Sequence, residues 1–281
     1  MPEPAPRLSI VIVTYNSRAH VTACLDALAR HPLPLRHEIV VVDNASPDGT
    51  AAAIRSAWTD LRVIDAGANL GFARANNLGI RETAGELILL LNPDTTVTDD
   101  AIGRLIAALE NRPDAAIAGP RLVDSSGRVE LSFGSMLSPI AECRQKILVC
   151  GNERGRGLVA AYVRALTRRP QDVDWVSGAC LLVRRVDADV VGLMDERYFM
   201  YAEDVDFCAA VRSRGRRVIF VPSAEVVHLR GQSRATAEAA TKVAYRRSHI
   251  AFYEKHHPVW APLLRLYLKV RGELPDRPIR E

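Results

Sequence analysis

The densest acidic cluster in the chain is Tyr201-Ala202-Glu203-Asp204-Val205-Asp206, which opens a helical pattern continuing through Phe207 and Val211. Carboxylates in a first helical turn complement the helix dipole, and that structural explanation stands beside a chemical one. The chemical one is general base catalysis. Phe199, Met200 and Tyr201 would exclude water around the carboxylates, and a base must sit within hydrogen-bond reach of the hydroxyl it deprotonates. Upstream, Trp175-Val176-Ser177-Gly178-Ala179 ends in small residues, leaving room for an acceptor against an indole face; a core tryptophan fits the same residues.

A second group of residues suits a cation. Asp94 follows the apolar run Leu87 to Leu91 and a turn-forming proline, and a hard divalent ion bridging diphosphate oxygens needs a carboxylate fixed on rigid backbone. His228, directly after Val226-Val227, offers a second ligand, with a buried structural histidine as the alternative. Neither G-x-G-x-x-G after a strand nor G-x-x-x-x-G-K-[ST] occurs, so dinucleotide binding and the P-loop lose their usual supports.

The elements that must position these groups alternate over the first 120 residues: short apolar runs, then helical patterns, the sequence form of a parallel sheet covered by helices. Strands are expected at Leu8 to Val13, Glu38 to Val42, Leu61 to Asp65, Leu87 to Leu91 and Ala115 to Gly119. Helices are expected around Val21 to Leu28, Phe72 to Thr83 and Ala101 to Glu110. Ligands of open α/β sheets bind beyond the carboxyl ends of strands, and there this chain places Thr14-Tyr15-Asn16, Asp43-Asn44, Asn69-Leu70-Gly71 and Asn92-Pro93-Asp94. Asp43 is suited to accept from a pyrimidine N–H or a ribose hydroxyl, and Arg74 to donate to a base carbonyl. Any one Asp or Asn here could instead cap the next helix.

Beyond residue 120 the rhythm changes. Val129 to Phe133, Trp175 to Val183 and Arg217 to Val221 read as strands, Val159 to Leu166 and Lys242 to His256 as helices, and 134 to 172 as an insertion without a clear pattern. With 281 residues, 48% hydrophobic and 25% charged, the chain suits one large α/β domain or one with appendages, and no run approaches the roughly 18 apolar residues of a membrane span. Met1 to Arg7 lacks a basic start leading into an apolar stretch, which points away from a secretory signal and towards the cytoplasm. The five cysteines are odd in number, widely spread and without C-x-x-C, as reduced cysteines would be. Charge concentrates in two places: Arg144 to Arg169 carries seven Lys/Arg against Glu153 alone, and Lys242 to Glu281 carries nine against four acids. Such segments favour an anionic surface or substrate, or form a solvated basic face. Trp260 to Lys269 alternates bulky apolar with basic residues, a composition that suits a helix on a membrane surface or one packed on its own domain.

Taken in order, these residues resemble the family-2 glycosyltransferases with the GT-A fold, from about Leu8 to about Ser233. The motifs are Ile12-Val13-Thr14-Tyr15-Asn16, Val41-Val42-Asp43-Asn44-Ala45-Ser46-x-Asp48-Gly49-Thr50, Asn69-Leu70-Gly71-Phe72-Ala73-x-x-x-Asn77 and Leu91-Asn92-Pro93-Asp94. Trp175-x-x-Gly178-Ala179, Phe199-x-Tyr201-x-Glu203-Asp204-x-Asp206 and His228-x-x-Gly231-x-Ser233 complete them. The resemblance implies an α/β fold with a mainly parallel sheet: a catalytic domain over 1–235, with a nucleotide-binding half at 8–120 and an acceptor half at 121–235, then a helical, basic extension over 236–281. It implies that Thr14, Tyr15, Asn16, Asp43, Asn69, Arg74 and Asn92 bind nucleotide, that Asp94 is the last carboxylate of a D-x-D motif assisted at the metal by His228, and that Asp204, accompanied by Glu203, is the base. Trp175, Gly178, Ala179 and Asp206 fall to the acceptor. Where many relatives have two aspartates, this chain has Asn92-x-Asp94, so Asn92 supplies no charged ligand.

Within the family, the Asn-Pro-Asp version, the Asp-Asn-Ala-Ser start and the aromatic, basic tail look most like bacterial rhamnosyltransferases using dTDP-L-rhamnose in cell-envelope polysaccharide assembly. The implied reaction is a single inverting displacement with Mg²⁺ or Mn²⁺, from a nucleotide-diphospho-sugar to a glycan or lipid-linked acceptor. The basic insertion and tail suggest a lipid-linked diphosphate and peripheral attachment at the inner membrane face, and no nucleic-acid partner is expected. A transferase for another sugar, such as galactofuranose or glucose, or a non-catalytic nucleotide-sugar-binding protein stands as the alternative.

Overall fold

The structure, a computed structural model, describes residues 5–155, 157–229 and 238–275. Its first half runs β1 (Leu8–Thr14), α1 (Arg18–Arg30), β2 (His37–Asp43), α2 (Thr50–Ala57), β3 (Arg62–Asp65), α3 (Phe72–Arg81), β4 (Leu87–Leu91), β5 (Thr95–Val97), α4 (Ala101–Glu110) and β6 (Ala115–Val123). The second half runs β7 (Phe133–Gly134), α5 (Pro139–Glu153), α6 (Leu158–Leu166), β8 (Gln171–Val173), β9 (Trp175–Val176), β10 (Cys180–Arg184), α7 (Arg185–Val190), α8 (Glu203–Ser213), β11 (Arg217–His228), α9 (Glu238–His256) and α10 (Ala261–Val270).

The main sheet has the order β3-β2-β1-β4-β10-β6-β11-β5, with β8 also on β11. From β3 to β4 every pairing is parallel; β10 enters antiparallel between β4 and β6, and β5 and β8 pair antiparallel with β11. The sheet is thus parallel in its first half and mixed in its second. Both faces are covered, which is why β1, β2 and β4 read as continuous apolar runs rather than alternating ones. Ile10 and Ile12 of β1 join α1 and α4 in one core cluster, while Val11 joins α3, α7 and α8 in the other.

Several expectations change, among them the strand at Arg217, which runs on to His228. The stretch Trp175 to Val183 is two strands, β9 and β10, interrupted at Ser177-Gly178-Ala179. The stretch Val129 to Phe133 holds one bridge, Val123 with Val129, before the short β7. The segment 134–172 contains a helical hairpin: Ser138 accepts from the Ala141 amide and Pro139 fills the first helical position of α5, both ordinary helix-start chemistry. The boundary expected at 235 and 236, with Gly231 and Ser233 before it, lies outside the described residues. Among the described residues no helix is long and apolar enough to cross a membrane.

Candidate active site

The topology brings the polar clusters to one edge. Strands β1, β2 and β4 run parallel and end at Thr14, Asp43 and Leu91; because β10 runs against β4, its leading residue Ala179 lies beside Asn92, whose amide donates to the Ala179 carbonyl at 2.9 Å. At the other side β5 pairs with the end of β11, so Thr95 lies opposite His228, and the Leu229 amide donates to the Asp94 carbonyl at 2.8 Å.

On the first side, Asp43 is buried; one oxygen accepts from the Ser46 amide at 3.0 Å, and the other is buried with no partner. Leaving a buried carboxylate oxygen unpaired is costly, so an acceptor of this kind marks a place where a ligand donor fits. Asn92 Oδ1 is orphaned in the same way. Asn44 organises the adjoining loop: its Oδ1 accepts from the Leu70 amide at 2.8 Å, and its Nδ2 donates to Asn69 at 3.0 Å and to the Gly71 carbonyl at 3.2 Å. Tyr15 and Asn16 are exposed at the end of β1, with Asn16 in a left-handed conformation (φ 49°) and its amide on Ser46. Two residues sit differently from expectation. Thr14, the last residue of β1, lies on the same strand face as Ile10 and Ile12, is fully buried, and shares a hydrogen bond with the Ser17 hydroxyl at 2.7 Å. Arg74 is exposed on α3 and paired with Glu196 at 3.6 Å.

On the second side, His228 Nε2 is 3.4 Å from Asp94 Oδ1, and His228 Nδ1 is 3.1 Å from Glu130 Oε2. Burial opposes a charge on His228, but the two carboxylates outweigh it and raise its pKa to about 9. Asp94 ends below the usual carboxylate range: burial would raise it, and the His228 contact prevails. Among the described residues no set of three or more side chains converges as a closed metal cage. The donors present nevertheless fit a hard cation shared with a substrate, since such an ion takes one or two protein groups and completes its shell from phosphate and water. Glu130, behind the imidazole, would fix its orientation. Glu130 is not among the residues expected at the site; its signal in the sequence is a carboxylate flanked by Val129 and Leu131 in a segment buried on both sides.

Between these groups stands the acidic helix start. Tyr201 and Ala202 are both left-handed (φ 70° and 67°), which turns the chain sharply into α8. Such conformations in non-glycine residues store about 1–3 kcal/mol each and persist where the surroundings enforce them. Asp204 then accepts from the Gly178 amide at 2.9 Å and from the Val205 amide at 2.8 Å. Gly178 permits that approach, since a Cβ there would meet Phe72 at 3.2 Å and Asp204 at 3.3 Å. Burial raises the Asp204 carboxyl above its ordinary value against the pull of those amides. Glu203 is buried with Oε2 unpartnered, and burial, then the neighbouring Asp204, push its carboxyl well above the usual range.

Two residues expected at the acceptor have partners within the protein. The Trp175 indole N–H donates to the Ser135 carbonyl at 2.9 Å and its ring lies against Gly134, where a Cβ would come within 3.0 Å. Asp206 is 2% exposed and faces away from Asp204: it accepts from the Tyr198 hydroxyl at 3.2 Å, Lys255 at 2.8 Å and His256 at 2.6 Å. Residues two apart on a helix point about 200° from each other, so an Asp204 turned to Gly178 directs Asp206 to α9.

The family model for Glycosyl transferase family 2 matches residues 9–142. The chain is 33% identical to the N-acetylglucosaminyl-diphospho-decaprenol L-rhamnosyltransferase of Mycobacterium tuberculosis, over 95% of its own length and 94% of that protein's. It is 28% identical to the dTDP-rhamnosyl transferase RfbF of Shigella flexneri, over 79% of this chain and 68% of that one. Among solved structures, mannosyltransferase PcManGT from Pyrobaculum calidifontis, in complex with GDP-Man and Mn²⁺, superposes with a TM-score of 0.62 at 19% identity, covering 97% of this chain and 73% of that one, a likeness of fold. With an end-to-end relative at this identity and the donor-side motifs inside the matched segment, the chain belongs to glycosyl transferase family 2.

Proposed function

We propose that this glycosyltransferase moves L-rhamnose from dTDP-L-rhamnose to a hydroxyl of a lipid-linked acceptor, with inversion at the anomeric carbon and dependence on a divalent ion. The observation that carries the reading is Asp204: a carboxylate of raised pKa, fixed by two backbone amides, at the edge where the orphaned oxygens of Asp43 and Asn92 also lie. The choice of sugar and acceptor is supported by the two rhamnosyltransferases the chain is similar to.

Asp43 accepts from the nucleoside, and Asn69, Asn16 and Tyr15 surround it. Asp204 takes the acceptor proton as the acceptor oxygen bonds to the anomeric carbon; the bond to the diphosphate breaks, and dTDP leaves with its electron pair. The raised pKa brings Asp204 closer to the operating pH, where a general base works best. Glu203, held towards its neutral form, keeps a second negative charge away from Asp204. Asp94 and His228 would hold Mg²⁺ or Mn²⁺, which when bound neutralises charge on the diphosphate.

The test is release of nucleoside diphosphate from a panel of donors with Mg²⁺, Mn²⁺ or chelator. Metal-dependent turnover of dTDP-L-rhamnose is expected; turnover of a different donor, or turnover unaffected by chelator, would overturn that part of the reading.

A further inference from the structure

Two helices leave apolar stripes uncovered. On α10 and the turn before it, Val259, Trp260, Leu263, Leu266, Tyr267 and Val270 are exposed, two of them by 80% or more (Val259 83%, Val270 80%). They recur every three or four residues along one face, while Ala261, Leu264 and Leu268 hold the opposite face to the protein. On α5, Ile140 (84% exposed), Cys143, Ile147 and Cys150 form the same pattern, and Leu158 (89%) and Tyr162 continue it on α6. Patches of this size rimmed by polar groups mark an interaction surface.

The two stripes are tied together. Met136 and Leu137, which lead into α5, pack with Tyr253, Ala261 and Leu264 in one cluster that also reaches Trp175 and Val205. His257 bonds the Leu137 carbonyl at 2.6 Å, and Glu142 accepts from His249 at 3.0 Å and Tyr253 at 2.6 Å. Glu142 of α5 therefore faces inward; Arg144, Lys146 and Arg154 outnumber the exposed Glu153 around the α5 stripe, and Lys269 and Arg271, the latter paired with Glu273, accompany the α10 stripe.

We infer that these paired apolar and basic faces dock the chain on a bilayer carrying anionic headgroups, beside the acceptor end of the site. The inference deepens the proposed function, on which it rests for the lipid-linked acceptor. An apolar face between basic residues enters the headgroup boundary without spanning it, and each Lys or Arg near an anionic surface adds attraction. A second copy of the chain fits less well, because basic residues rim both stripes and would face each other across a self-contact.

Flotation of the full chain with vesicles of phosphatidylglycerol and phosphatidylethanolamine, against phosphatidylcholine alone, tests this. Wild type should float with the anionic vesicles, and less so in about 0.5 M salt. Trp260→Glu with Leu263→Glu, and separately Ile140→Glu with Ile147→Glu, should each lower partitioning roughly tenfold or more, with melting temperature and acceptor-free donor turnover unchanged. No binding to anionic vesicles, equal binding by wild type and variants, or a wild-type dimer in light scattering that the variants dissolve without any change in flotation, overturns the proposal. Vesicle binding by a chain that turns over no nucleotide-sugar removes the proposed function and leaves docking intact; donor turnover without vesicle binding removes docking alone.

Discussion

Gly71 joins the nucleotide side of the site to the catalytic side, and replacing it by alanine measures that junction. Its backbone lies at φ 80°, ψ −176°, a region open essentially to glycine, and strain of this kind costs about 1–3 kcal/mol in another residue. A Cβ would fall 2.2 Å from the Phe199 carbonyl oxygen and 2.7 Å from its ring, so the 199–201 segment must shift. The shift breaks the hydrogen bond from the Phe72 amide to that carbonyl, now 2.6 Å, for a further loss of about 0.5–1.5 kcal/mol. Gly71→Ala should therefore destabilise by about 2–4 kcal/mol in urea unfolding. Gly67 is the control: it is also left-handed (φ 74°) but a Cβ there meets nothing within 4 Å, so Gly67→Ala should cost only about 1–2 kcal/mol. Because Phe199 precedes Asp204 by one short turn, kcat should fall about 10–100-fold in Gly71→Ala, as displaced catalytic groups do. Equal unfolding midpoints and equal kcat for the two variants would refute the reasoning.

Asp206→Ala should cost about 2–4 kcal/mol in urea unfolding, since it strips a buried carboxylate from Tyr198, Lys255 and His256; a change under about 0.5 kcal/mol would show that the contact with α9 contributes nothing. Glu203 has a folded pKa above its unfolded one, so its contribution is fully present below the unfolded carboxyl pKa and is lost as pH rises through the folded value. Glu203→Gln should accordingly gain melting temperature over wild type as pH rises from about 4 to 8, and a pH-independent difference would contradict the burial effect. For His228 in the metal-free chain, the folded pKa of about 9 against an ordinary value of 6.5 means stability that is complete below pH 6.5 and lost as pH rises through 9. It amounts to about 3 kcal/mol, an order-of-magnitude figure, read as the narrowing gap between wild type and His228→Gln in chelator; a constant gap would remove the Asp94 and Glu130 pairing as its cause.

Much of the first half is legible in the residues themselves. Strands β1, β2 and β4 are unbroken apolar runs because helices cover both faces, and α4 keeps its expected bounds because its start and the Arg112-Pro113 stop are local signals. The second half is set by contacts distant in sequence. Strand β11 continues past Pro222 through a register shift against β6 between Val221 and Glu225, so a proline that reads as a stop becomes a bulge. In the gap between β9 and β10, Gly178 meets Asp204, 26 residues later. In the site, Asp94, His228 and Asp204 were visible as carboxylates and an imidazole after apolar runs. The surroundings of Thr14 and Asp206 follow from local geometry: strand alternation turns Thr14 inward, and helical phase turns Asp206 away from Asp204. Glu130 went unnoticed because its partner is 98 residues distant.

Whether Asp204 is the base for sugar transfer is read most directly from single-turnover transfer by Asp204→Asn beside its donor affinity. dTDP-L-rhamnose should bind within about twofold of wild type while transfer slows by about 10²–10⁴-fold, the range for loss of a general base. Transfer within a few-fold of wild type would contradict that role.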